Sequence, residues 1–206
     1  MTLNIGIYVY DDVEVLDFAG PYEVFTTAAR VHARSHSGAP LFTVVTVGRT
    51  LAPVRARAGL KVEADFAIDR HPPLDLLVVP GGVVTAELCK PDVIQWLGRQ
   101  IHPSRLVASV CTGAFMLAQT GKLDGLSVTT HWEDLDELRE MFPKLQVLGG
   151  RRWVDQGALL TSAGISAGID MSLHLVERLH SRALAERTAR QLEFDWVGNQ
   201  SGIDSV

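Results

Sequence analysis

A cysteine set between an apolar strand and a helix is the most reactive arrangement this chain offers. In Ser109-Val110-Cys111-Thr112-Gly113-Ala114-Phe115 the thiol follows the apolar run 106–110 and precedes a helical stretch, 114–120, which Gly121 ends. That is the layout of a nucleophile elbow with cysteine in place of serine. The sharp turn needs small neighbours, and Gly113 and Ala114 supply them. Backbone N–H groups at a helix start point at such a sulfur. They are expected to lower its pKa from the free value of about 8.5 and to steady negative charge on a reacting atom. A lone cysteine is more often a small buried hydrophobe, and the strand–turn–helix context is what argues for a nucleophile. Cys89, between Leu88 and Lys90-Pro91, has no such context and reads as structural or incidentally exposed.

An elbow needs a sheet behind it. Residues 3–10, 42–47, 74–79 and 106–110 are short, mostly apolar runs that read as buried strands. They alternate with helical stretches near 21–34, 91–101, 114–120, 132–142, 166–179 and 183–194. Residues 11–17 read as a turn, with Pro21 at the first position of the helix that follows. Residues 52–64 read as a hairpin or meander, and 146–161 as two strand pieces around Asp155-Gln156-Gly157. Alternating strands and helices make a mostly parallel sheet covered on both faces, a three-layer α/β sandwich. Ligands bind beyond the carboxyl ends of strands in such sheets. Three of those ends are chemically notable: 11–17, Pro80-Gly81-Gly82 and Cys111-Thr112-Gly113.

The 206 residues fit one domain over 1–197 with a loose tail over 198–206. With 47% hydrophobic and 21% charged residues the chain has the composition of a folded globule. A net charge of -5 argues against direct nucleic-acid binding. No apolar run reaches the roughly 18 residues of a membrane helix. The chain starts directly in a strand-like run, so a cytoplasmic location is expected. His32 and His36 are four apart, but no carboxylate or cysteine completes a metal site, and no phosphate-binding glycine loop exists. Neither metal nor cofactor is expected. The helix containing Arg182, Arg187 and Arg190 has mixed charge and reads as a solvated face.

Five motifs, in order, resemble the DJ-1/PfpI superfamily and, within it, the isocyanide hydratase branch. They are Leu16-Asp17-Phe18-Ala19-Gly20-Pro21, Val79-Pro80-Gly81-Gly82, Ser109-Val110-Cys111-Thr112-Gly113, Val128-Thr129-Thr130-His131-Trp132, and Ala163-Gly164-Ile165-Ser166-Ala167-Gly168-Ile169-Asp170. The resemblance covers residues 3–194. It implies a flavodoxin-like sandwich, a homodimer, and a reactive Cys111 contacted by an acidic residue from the turn after the first strand. That residue is Asp17 here, where the DJ-1 branch has glutamate. The proteolytic branch follows its cysteine with histidine. Thr112 stands there instead, which disfavours a protease. The resemblance also places Gly81 and Gly82 beside the thiol, together with Gly113 and the helix start at Gly164-Ile165-Ser166. His131 lies in a matching segment, although a histidine next to Trp132 is more often packed and hydrogen-bonded.

The chemistry so implied is addition of water to a small-molecule isocyanide. Cys111 attacks the terminal carbon, and Asp17 acts first as acid and then as base. That requires an Asp17 pKa well above about 3.9. The plainer reading of Asp17 is a helix cap. Thr112 can bond the sulfur or substrate through its hydroxyl, or simply support the first helical turn. Rival readings are a glyoxalase or deglycase acting on dicarbonyls, and a ligand or redox sensor related to AraC-type regulators. The expected partners are a small-molecule substrate and a second copy of the chain, with no direct nucleic acid and no membrane.

Overall fold

The protein is described from a computed structural model over residues 2–199, so nearly all of the expected tail, 198–206, lies outside the described residues. The first half of the chain contains β1 (Leu3–Val9), α1 (Val15–Ala33), β2 (Phe42–Gly48), β3 (Val54–Arg55), β4 (Lys61–Val62), β5 (Phe66–Ala67), β6 (Leu76–Val79), α2 (Thr85–Leu88) and α3 (Pro91–Gln100). Next come β7 (Leu106–Val110), α4 (Gly113–Ala118), β8 (Ser127–Val128), α5 (Leu135–Met141) and β9 (Gln146–Val147). The chain finishes with β10 (Trp153–Asp155), β11 (Leu159–Ser162), α6 (Ala167–Leu179) and α7 (Arg182–Gln191).

Seven strands form one sheet in the order β10-β11-β7-β6-β1-β2-β5. Every pairing is parallel except β10 with β11. The central strands are covered on both faces, so they tolerate no polar alternation: all four residues of β6 are buried. Helices α1, α6 and α7 pack on one another as one layer, while α2, α3 and α4 form a second group. The fold is therefore the expected flavodoxin-like three-layer sandwich. The expected hairpin is β3 with β4, paired antiparallel outside the main sheet.

One expectation fails in a way that matters. Residues 11–17 are not a turn leading to a helix at Pro21. Helix α1 begins at Val15, places Asp17 in its first turn and runs through Pro21. Pro21 has no N–H to give the carbonyl of Asp17 four residues earlier. The helix end is capped by no side chain at Glu14, so the usual start signal is missing and the proline supplied a false one.

No helix among the described residues is long and apolar enough to cross a membrane.

Candidate active site

Strand β7 delivers Cys111 to the carboxyl edge of the sheet in the left-handed conformation, at φ 56. Such a backbone is costly for a residue other than glycine and persists only where neighbours hold it. They do so here. The Cys111 amide donates to the carbonyls of Ser162, at 3.2 Å, and Ala163, at 3.3 Å. Its carbonyl accepts the Thr130 hydroxyl at 2.8 Å. Cys111 is 8% exposed, open to a reactant yet mostly desolvated.

Asp17 is fully buried beside it, 0% exposed. Oδ2 accepts the Gly81 N–H at 3.0 Å. The thiol and the Ile165 N–H approach the same carboxyl, but Oδ1 is left without a partner of hydrogen-bond geometry. Burial pushes the Asp17 pKa up to about 7, against the pull of the Gly81 N–H. The N-cap position of α1 is Glu14, and Asp17 accepts from Gly81 rather than from the helix's own first amides, so Asp17 is not the cap of the plainer reading. The thiol is pushed up to about 12, first by burial and then by the charge of Asp17, and the Thr112 N–H only moderates this. The expected lowering of the cysteine pKa is thus corrected. Helix α4 has only six residues, and its amides do not outweigh desolvation. The two groups titrate as a pair, losing one proton near 7 and the other near 12. Between those values the thiol holds the one proton beside an ionised carboxylate.

The Pro80-Gly81-Gly82 turn is clamped against the elbow. The Thr112 hydroxyl donates to the Gly82 carbonyl at 2.8 Å and accepts the Gly82 N–H at 2.9 Å. Through these bonds Thr112 fixes the turn that carries the Gly81 amide, and its hydroxyl also pulls the Cys111 pKa down. A Cβ on Gly81 would lie 2.8 Å from the Cys111 Cβ, and one on Gly113 only 2.1 Å from the Val79 carbonyl. Gly82 sits at φ 140, where a side chain would meet the Asp12 carbonyl at 2.2 Å. Replacing Thr112 by valine keeps the shape and strands both Gly82 groups, at about 1–3 kcal/mol. The melting temperature is expected to fall by several degrees, read by calorimetry. An unchanged value would mean that Thr112 clamps nothing.

His131 is packed. Gly164 lies against its ring, which a Cβ there would overlap at 2.1 Å, and Nδ1 accepts the Glu133 N–H at 3.4 Å. Among the described residues it makes no hydrogen bond to Cys111 or Asp17. Ile165 takes φ 52, a strained value for a β-branched residue, and aims its N–H at Asp17. Seven expected residues therefore converge on one point: Asp17, Gly81, Gly82, Cys111, Thr112, Gly113 and Ile165. Gly164 and His131 form the wall next to them.

Sequence reasoning missed two supports. Thr130, in a quoted motif, holds the Cys111 carbonyl. Tyr10, at the end of the first strand-like run, donates to the Pro80 carbonyl at 3.1 Å and braces the glycine turn. Among the described residues no group of three or more His, Cys, Asp or Glu could hold a metal ion.

A parallel sandwich whose central strand ends in a strained, buried cysteine against a carboxyl defines an α/β protein of the cysteine-elbow class. The chain belongs to the DJ-1/PfpI family, which it matches over residues 4–178. It is 32% identical to the isonitrile hydratase of Pseudomonas putida over 196 residues, which is 94% of this chain and 79% of that protein. It is 29% identical to the HTH-type transcriptional regulator GbdR of Pseudomonas aeruginosa, over 98% of this chain and 54% of the regulator. The chain thus spans about half the length of that relative. A ThiJ/PfpI family protein from Pseudomonas syringae superposes with a TM-score of 0.81 at 26% identity, covering 96% of this chain and 77% of that one. Drosophila melanogaster DJ-1beta also reaches 0.81, at 19% identity over 95% of this chain and 100% of its own.

Proposed function

We propose that the protein adds water to an isocyanide to give an N-substituted formamide. The feature that carries this reading is the buried contact of Cys111 with Asp17, a thiol that keeps its proton beside a carboxyl whose pKa burial raises to about 7. An isocyanide carbon must receive both a nucleophile and a proton. Sulfur forms a bond to that carbon while Asp17 moves the thiol proton onto it, leaving a thioimidate. Asp17 then takes a proton from water as the hydroxyl joins the same carbon, and passes it to nitrogen. The C–S bond breaks as the carbonyl forms, and the hydroxyl proton returns to sulfur through Asp17. Water and isocyanide are consumed, formamide leaves, and the pair is restored. The similarity to an isonitrile hydratase over most of both chains supports the same chemistry.

A second reading has its own support. The similarity to a transcriptional regulator spans nearly the whole chain, which is compatible with a domain that senses a small ligand without turning it over. Purified protein assayed side by side on an alkyl isocyanide and on methylglyoxal separates the cases. Formamide identifies the hydratase and lactate the glyoxalase, while binding without product identifies the sensor.

The proposed assembly is a homodimer. Leu16, Val83, Trp132 and Ile165 neighbour the site residues in sequence and are exposed, Trp132 by 73%. A second copy would cover them. Light scattering is expected to give twice the chain mass of 22.5 kDa, and a mass of one chain at micromolar concentration would refute the dimer.

A further inference from the structure

We propose that the cleft between the ends of α1 and α7 binds a small polyanion, a ligand bearing phosphate groups or several carboxylates. The cleft has a volume of about 420 Å³ and is lined by Arg34, Arg187 and Arg190 together with Val31 and Glu193. That volume is in the range of about 300–1,000 Å³ found for small-ligand pockets.

Other arginines on the same helix layer are neutralised. Arg30 pairs with Glu23 at 2.9 Å, Arg178 with Asp155 at 2.9 Å, and Arg182 with Glu186 at 2.8 Å. Arg34, Arg187 and Arg190 are exposed and make no salt bridge or side-chain hydrogen bond among the described residues. In a chain of net charge -5, three uncompensated guanidinium groups in one concavity need an account. Arg34 caps the end of α1, and Arg190 lies in the last turn of α7. Each helix end carries about half a unit of negative charge, which explains part of the attraction. Those two ends together with Glu193 still leave the cleft positive.

Glu193 is the one acid among the residues that line the cleft. His32 stacks on His36 with ring centres 4.0 Å apart and meets His180 edge-on at 5.0 Å. The charges acting on His32 come from His36, His180 and Arg187, with no carboxylate among them. Guanidinium groups present paired N–H donors that match phosphate and carboxylate oxygens. A divalent or higher anion is the ligand this arrangement favours.

Calorimetric titration of the intact protein with pyrophosphate and with citrate, at fixed ionic strength and pH 7.5, tests the site. Saturable binding of one anion per chain is expected. The double variant R187Q/R190Q is expected to weaken it at least ~10-fold, the effect of losing a charge-assisted hydrogen bond. Tighter pyrophosphate binding assigns a phosphate ligand, and tighter citrate binding a polycarboxylate. Arg70→Gln, an exposed arginine elsewhere, and Cys111→Ser are expected to bind as the parent does, so the outcome is independent of the isocyanide chemistry. No binding of either anion, or an equal loss in Arg70→Gln, would overturn the proposal.

Discussion

Cys111→Ala is expected to abolish isocyanide hydration, with a fall in turnover of at least ~10⁴-fold, as removal of a nucleophile typically causes. The site holds no substitute. The Thr112 hydroxyl is committed to Gly82 in both directions. His131 is packed against Gly164 and bonded to its own segment. Water could still enter, but nothing would hold the carbon between addition and protonation. The fold should survive, because Cys111 is anchored through its backbone amide and carbonyl rather than through sulfur. Formamide measured by proton NMR, with circular dichroism as the check on folding, decides the matter. Parental turnover in a folded Cys111→Ala protein would remove the thiol from the chemistry.

Asp17→Asn should slow turnover by about 10²–10⁴-fold, the usual contribution of one acid/base group. It should also make the protein more stable above neutral pH, because it removes a buried charge. The Asp17 pKa rises from 3.8 to about 7 on folding, so burial favours its neutral form. The stability tied to that neutral form is complete below the unfolded value. It is lost as pH rises through the folded one. A shift of that size corresponds to something on the order of 4 kcal/mol for this fully buried group. Asparagine carries no charge to bury and can still accept the Gly81 N–H. The variant should therefore melt like the parent at pH 4 and several degrees higher at pH 8. A variant that is both as active as the parent and no more stable at pH 8 would show that Asp17 neither moves a proton nor carries a buried charge.

The strand framework was legible because its physics is local. Residues 106–110 are mostly apolar and bounded by turn residues, and the observed β7 has those same limits. Cys111 was legible for the same reason, since a small-residue turn follows that strand directly. Short elements gave no signal: β5 has two residues and α2 four, too few to show a period. The start of α1 was misplaced because Glu14 gives no side-chain cap while Pro21 resembles one. That shift put Asp17 inside a helix, buried and aimed at the thiol. The proton balance of the site was illegible from sequence for a related reason. Residue types suggest that helix amides govern the sulfur, but burial outweighs them, and burial depends on the packing of α1 against the glycine turn. The bonds of Thr112 to Gly82 were illegible, because that partner comes from a strand end some thirty residues earlier.

The one proton of the Cys111–Asp17 pair is the centre of the account, and the pH dependence of isocyanide hydration tests it most directly. The active pair holds one proton, so kcat/KM measured between pH 5 and 9, with the uncatalysed rate subtracted, should rise through a single ionisation near 7 and then stay level. In Asp17→Asn that inflection should vanish from the residual activity. A rate that falls as pH rises through 7, or that is flat from pH 5 to 9 in the parental protein, would contradict a Cys111–Asp17 pair working on one proton.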